Sequence, residues 1–207
     1  MSLIYWLCLN FTRIAGKLFY RYRVVNPERL IENGGALLVS NHVSFFDPPS
    51  VAIAFKNPIH FLARKTLFKN KFFGGLIRAL NSVPVDQERP DMTSLKKIIA
   101  LLKSGERVLI FPEGERSDDG ELGTSQPGVG LVIAKSKVPV LPLRIFGNFE
   151  AYPRGAKWPR LSKITVVVGE PLDFSKEIEK GGKSKALYQS FSDRSMKAIA
   201  KLQLPDG

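Results

Sequence analysis

The chain reads as an α/β protein: a single domain with a mixed, mostly parallel central sheet flanked by helices, entered through an N-terminal helix that suits a membrane surface. Three observations predict this. Apolar runs of strand length alternate with helix-period segments from Ala36 to Leu202. Two of the runs, Ala36 to Val39 and Arg107 to Phe111, stop abruptly at polar loops, as strands do at the ligand-binding edge of an open α/β sheet. The first 23 residues are rich in aromatics and end in cations. A length of 207 residues suits one well-buried core and is short for two. The expected division is an interfacial helix over 1–25 and the main domain over 26–207.

The opening segment cannot span a bilayer. Its uncharged apolar residues run only from Leu3 to Phe11, whereas a spanning helix needs about 20. A signal peptide would carry its cations before the apolar stretch, and here the order is reversed. Trp6, Phe11 and Tyr20 with Arg13, Lys17, Arg21 and Arg23 suit a helix lying among headgroups at the cytoplasmic face, or one simply packed on the domain. After a turn at Asn33-Gly34-Gly35, Ala36 to Val39 forms a buried strand and Pro48 to Phe55 a short helix, with Asp47 as its expected N-cap. Strands are expected at Ile59 to Ala63 and at Ser82 to Asp86, with a basic, Phe-rich segment between them. Asp91 or Thr93 caps an amphipathic helix whose inner face is Leu95, Ile98, Ile99 and Leu102. Further strands follow at Arg107 to Phe111, Val138 to Leu143 and Ile164 to Val168, with helices from Gln126 to Lys137 and from Ser184 to Leu202.

Composition narrows the chemistry. Lys and Arg number 31 against 19 Asp and Glu, a net charge of +12, so an anionic partner is expected unless the basic face is merely solvated. Nucleic acid is not favoured, because no recognition helix, zinc finger or RNA-binding sheet motif is present. The lone Cys8 rules out an internal disulfide, and with His42 and His60 the only histidines, no metal site is expected. There is no GxSxG elbow for a serine hydrolase. Gly182-Lys183-Ser184 imitates the end of a P-loop, but Glu177 stands where its first glycine is required. Asp118 and Asp119 beside Gly120 read as a turn.

One loop carries chemistry by itself. His42 and Asp47 lie five residues apart where the first buried strand ends, so the loop can curl until the carboxylate meets the imidazole. Asp47 would then fix the ring's tautomer and orientation, and the other ring nitrogen would take a proton from a substrate. A His and an Asp in one loop are also compatible with a simple capped turn.

The second polar loop decides between these. Asn41-His42-Val43-Ser44-Phe45-Phe46-Asp47 resembles the NHxSxxD motif of the glycerolipid acyltransferases, and Phe111-Pro112-Glu113-Gly114-Glu115-Arg116-Ser117 resembles their FPEGTRS motif at the expected distance. Val138-Pro139-Val140-Leu141-Pro142 and Gly169-Glu170-Pro171 resemble later motifs of the same family. Three positions depart from the pattern. Gln87 replaces a usual arginine, with Arg89 two residues on; Glu115 replaces threonine; Gln126 replaces lysine.

The resemblance implies a 1-acylglycerol-3-phosphate O-acyltransferase. Such an enzyme moves a fatty acyl group from a thioester, on coenzyme A or acyl carrier protein, to the hydroxyl of a lysophospholipid for phospholipid biosynthesis. It implies no cofactor, since the thioester is a co-substrate, and it makes 26–207 the catalytic domain. His42 becomes the base and Asp47 its orienter. Asn41, Ser44, Glu113, Gly114, Arg116 and Arg89 become substrate-binding candidates, with Arg116 on the acceptor phosphate unless it pairs with Asp118 or Asp119, and with Glu113 on a glycerol hydroxyl unless it braces a turn. The expected partners are a lysophospholipid, an acyl thioester and an anionic membrane surface. Two alternatives remain: another lysolipid or lipid-like alcohol as acceptor, and a catalytically idle lipid-binding protein.

Overall fold

The computed structural model of the chain describes residues 2–86, 92–181 and 184–205. Helix α1 (Leu3–Tyr20) leads into strand β1 (Arg23–Val25) and the central strand β2 (Ala36–Ser40). Then come α2 (Asp47–Ala52), β3 (His60–Arg64), α3 (Lys71–Ala79), β4 (Ser82–Val85), α4 (Met92–Lys103) and β5 (Arg107–Ile110). The chain continues through α5 (Pro127–Ser136), β6 (Val140–Phe146), α6 (Asn148–Ala151), β7 (Thr165–Val168), α7 (Ser175–Glu179) and α8 (Lys185–Lys201). The strands form one sheet in the order β1-β7-β6-β2-β5-β3-β4. Every pairing is parallel except β6 with β7, so β1 and β7 run against the other five strands.

Alternation along β2 creates the layers. Ala36 and Leu38 face one core, with Tyr5 and Leu9 of α1 and Val51 of α2. Leu37 and Val39 face the other, with Ile98 and Leu102 of α4, Val129, Val132 and Ile133 of α5, and Ile199 of α8. All five β2 residues are fully buried, which is why they read as one continuous apolar run ending in serine.

This layering positions the site. β2 and β5 are parallel neighbours, with Val39 opposite Ile110. The chain leaving β2 turns to α2 on one face, while the chain leaving β5 turns to α5 on the other. Adjacent loops that diverge to opposite faces leave a crevice at the carboxyl edge of the sheet, the switch point where α/β proteins hold ligands. His42 and Glu113 each lie three residues past a paired position, so both emerge into that crevice.

Several expectations change in detail. Asp47 is the first residue of α2, and Phe46 precedes it without capping through its side chain. β1, α3, α6 and α7 have no counterpart in the sequence reading. The first three are short or carry a mixed pattern: β1 is three residues at an edge, and α3 buries only Gly74 and Ile77. Arg89, Gln87, Asp91, Gly182 and Lys183 lie outside the described residues.

α1 is attached by one face only. Tyr5 and Leu9 are buried, and the Tyr5 hydroxyl accepts the Ile59 N–H at 3.0 Å. Arg13 donates to the carbonyls of Ile53 and Phe55, and Arg23 to Thr165 Oγ1, so two of the cations expected on lipid face inward instead. The outer face exposes Leu3, Leu7, Phe11, Ile14 and Leu18. No helix among the described residues is long and apolar enough to cross a membrane.

Close packing of α5 on α8 rests on Gly130, whose N–H donates to Ser192 Oγ at 2.8 Å. A Cβ there would fall 1.7 Å from the Tyr188 carbonyl oxygen, whereas one at Gly128 meets nothing. Gly130→Ala is expected to destabilise the fold by about 1–3 kcal/mol through overpacking, while Gly128→Ala gains up to about 1 kcal/mol from helix propensity. Urea unfolding of the two variants checks the difference in sign.

Candidate active site

Asp47 organises the first loop. Its carboxylate is completely buried, and Oδ2 accepts the N–H groups of Val43 and Ser44, each at 2.7 Å. His42 Nδ1 lies 2.7 Å from the same oxygen. Because Oδ2 already serves as an acceptor, the ring proton sits on Nδ1 and Nε2 keeps its lone pair. Oδ1 accepts the Asn148 amide N–H at 2.8 Å, and Asn148 also donates to Ser50 Oγ. The imidazole stacks on Phe111, with ring centroids 3.8 Å apart and planes 10° from parallel. Held at its edge and on one face, the ring has a single orientation.

The second loop is bound to the first through His42's own backbone. Glu113 Oε1 accepts the His42 N–H at 2.9 Å, Oε2 accepts the Gly123 N–H at 3.0 Å, and the Ser117 N–H donates to the His42 carbonyl at 2.8 Å. Burial raises the Glu113 pKa, and these backbone hydrogen bonds work against that rise. Gly114 closes the turn at φ +81°, with its N–H on the Phe111 carbonyl.

Arg116 stretches its guanidinium 3.6 Å over the ring of Phe45. It forms no ion pair with Asp118 or Asp119: Asp118 pairs with Arg154 at 3.3 Å, and Asp119 accepts from Ser117 Oγ and the Glu121 N–H, as a turn requires. Arg116 Nη1 is buried and has no hydrogen-bond partner, one of only three such side-chain atoms among the described residues. Burial, then the charges of Arg154 and Arg64, lower the Arg116 pKa, yet guanidinium stays protonated. A polar atom shielded from water without a partner costs free energy that rearrangement around a bound anion would recover. The extra carboxylate at Glu115 is met by Arg154 at 3.8 Å.

Two cavities of about 610 and 600 Å³ meet at His42, Leu62, Arg64, Phe111 and Glu115. The first runs between α4 and α5, past Asp86, Ser94, Ile98 and Val132. The second runs under α1 and α3, is lined by Leu9, Ile53, Phe61, Phe73 and Leu76, and includes Arg116. No group of metal ligands occurs among the described residues.

An acyltransferase family model matches residues 21–146, a span that contains both loops. The chain belongs to the acyltransferase family. It is 30% identical over 171 residues to the 1-acyl-sn-glycerol-3-phosphate acyltransferase of Bacillus subtilis, covering 82% of each chain. It is 35% identical over 141 residues to the enzyme of that name from Streptococcus pneumoniae, covering 67% of this chain and 50% of the other. The crystal structure of the 1-acyl-sn-glycerophosphate acyltransferase of Thermotoga maritima superposes with a TM-score of 0.75 at 26% identity, over 97% of this chain and 81% of that one. The chain therefore spans most of the first and third relatives and half of the pneumococcal one.

Within this acyltransferase the expected site residues divide into two groups. His42, Gly114 and Arg116 border the cavities, whereas Asp47, Asn41 and Ser44 do not. Asn41 spends its amide on both backbone groups of Ile145, and Ser44 donates to the Tyr152 carbonyl while accepting the Phe46 N–H. Both are buried and hydrogen-bonded within the fold. Glu113 also lines the first cavity, and each of its carboxylate oxygens accepts one backbone N–H, so it braces the two loops while facing that cavity. Asn148, Arg154 and Arg64 belong to the site although the motifs give no sign of them. Asn148 lies 101 residues beyond Asp47, and no local pattern connects such a pair.

Asn148→Ala removes a hydrogen bond to a buried carboxylate, an interaction of about 1.5–3 kcal/mol. Steady-state kinetics are expected to show kcat lowered about 10- to 100-fold on that scale, with KM little changed.

Proposed function

We propose that this acyltransferase moves a fatty acyl group from a thioester, carried on coenzyme A or acyl carrier protein, to the free hydroxyl of 1-acylglycerol-3-phosphate, giving phosphatidate. The observation that carries the reading is His42, oriented by Asp47 and Phe111, standing where two cavities meet. One cavity can hold the donor and the other the acceptor, so that hydroxyl and thioester reach the same nitrogen together.

The step balances with the chain's own groups. Nε2 takes the hydroxyl proton as the oxygen attacks the thioester carbonyl carbon. The tetrahedral adduct collapses with cleavage of the C–S bond, and the proton passes from His42 to the leaving thiolate. No acyl-enzyme is needed, and no cofactor enters the balance. Arg116 binds the acceptor phosphate through the guanidinium it presents to the second cavity, with Arg64 and Arg154 adding positive charge around it. The lipid-like substrates and the exposed apolar face of α1 favour work at an anionic membrane surface, the inward-facing Arg13 and Arg23 leaving that face to Leu3, Phe11 and Leu18.

An acceptor other than lysophosphatidate is favoured by one pair of observations, Gln87 in place of arginine and the added carboxylate of Glu115. The Glu115 contact with Arg154 offsets the second. We therefore place lysophosphatidate first and an uncharged lysolipid second.

His42→Ala is expected to lose acyl transfer by about 10²–10⁴-fold, the usual worth of a positioned base, with the circular dichroism spectrum preserved. Wild-type turnover in the folded variant would refute the assignment. Arg116→Gln is expected to raise KM for lysophosphatidate about tenfold or more, consistent with a charge-assisted contact of about 1.5–3 kcal/mol, and to leave KM for an uncharged lysolipid nearly unchanged. Equal effects on both acceptors would move the phosphate elsewhere.

A further inference from the structure

Within the segment from Tyr152 to Lys163, only Tyr152 and Arg154 take part in the site; the residues from Gly155 onward have no role in it. The segment carries Arg154, Lys157, Arg160 and Lys163 and no acidic residue. Between those cations stand Trp158 and Leu161, exposed by 80% and 76%, among the most exposed large apolar side chains of the described residues. An indole left in water at that degree gains nothing for the fold.

The segment is nevertheless built. The Ala156 N–H donates to the Pro153 carbonyl at 3.2 Å and the Arg160 N–H to the Ala151 carbonyl at 2.7 Å, closing the loop at both ends. At its base Tyr152 packs its ring on Phe45 and Phe46, and its carbonyl accepts from Ser44 Oγ. Phe46 in turn meets Tyr20 at the end of α1, and the Ile164 N–H donates to the Tyr20 carbonyl. The loop therefore stands on the His42 loop and on the last turn of α1.

We propose that residues 152–163 form a second lipid contact, separate from α1, in which Trp158 and Leu161 enter the headgroup region of an anionic bilayer and Lys157, Arg160 and Lys163 hold its phosphates. The proposal rests on the membrane-surface reading of the preceding subsection and adds a surface to it. Charge complementarity selects an anionic lipid surface, and an amphipathic indole flanked by cations suits the boundary between headgroups and acyl chains. A contact rooted in the His42 loop adds a second attachment beside the active site and so fixes its height above the bilayer.

Trp6 and Trp158 are the only tryptophans, so each can be read alone. Full-length Trp6→Phe reports Trp158, and Trp158→Phe reports Trp6. With phosphatidylglycerol vesicles, Trp158 emission is expected to shift to the blue and to be quenched by brominated acyl chains, with no response to phosphatidylcholine vesicles. Lys157→Glu with Arg160→Glu is expected to weaken vesicle binding at least tenfold in a flotation assay and to leave turnover of a water-soluble short-chain acceptor unchanged. A Trp158 signal that stays constant while Trp6 responds overturns this contact and leaves the α1 anchor standing. Silence from both removes the loop and the α1 anchor together. A Trp158 response to an acidic carrier protein but not to vesicles also overturns it, assigning the loop to a protein partner.

Discussion

A carboxylate with no access to water gathers every donor within reach, and the candidate site is what results. Asp47 draws two backbone N–H groups, an imidazole and an amide onto its two oxygens. The desolvation of such a group costs several kcal/mol unless these bonds form, each worth about 1.5–3 kcal/mol to a charged acceptor. The chain between Val43 and Asp47 has to curl tightly to supply them. The curl carries His42 to the mouth of the crevice with one nitrogen engaged and the other free.

The remaining architecture serves that loop. Parallel pairing of β2 with β5 brings a second loop alongside, and Glu113 and Ser117 grip both backbone groups of His42. Asn41 ties the same loop to β6 through Ile145, and Ser44 ties it to Tyr152. Three segments far apart in sequence thus determine the position of one imidazole. The conspicuous polar residues of the two motifs are mostly internal hydrogen-bonding groups, and His42, Glu113, Gly114 and Arg116 are the described candidates that line the cavities.

What could be read in advance follows a physical pattern. Strands buried on both faces, such as Ala36 to Ser40 and Arg107 to Ile110, announce themselves as apolar runs, because neither face tolerates a polar side chain. The His42 and Asp47 contact was legible because five residues can close on themselves locally. Edge strand β1 was not, since half-buried positions such as Arg23 and Val24 carry no run. Asn148, Arg154 and the Glu115 contact were hidden for another reason: they depend on the parallel pairing of β6 with β2, which brings distant residues to the crevice only once the sheet has formed. Ser44 and Glu113 look alike as polar motif residues in sequence, and only burial reveals what each one holds.

The phenyl ring of Phe111 against the imidazole bears on timing. In the resting state it offers a neutral ring little beyond dispersion and shape. Once His42 has accepted a proton on the reading proposed here, the same aromatic face presents its negative quadrupole to a cation at 3.8 Å. The contact therefore strengthens as positive charge appears and relaxes as it leaves. Its electrostatic contribution is thus confined to the interval in which the proton is borrowed.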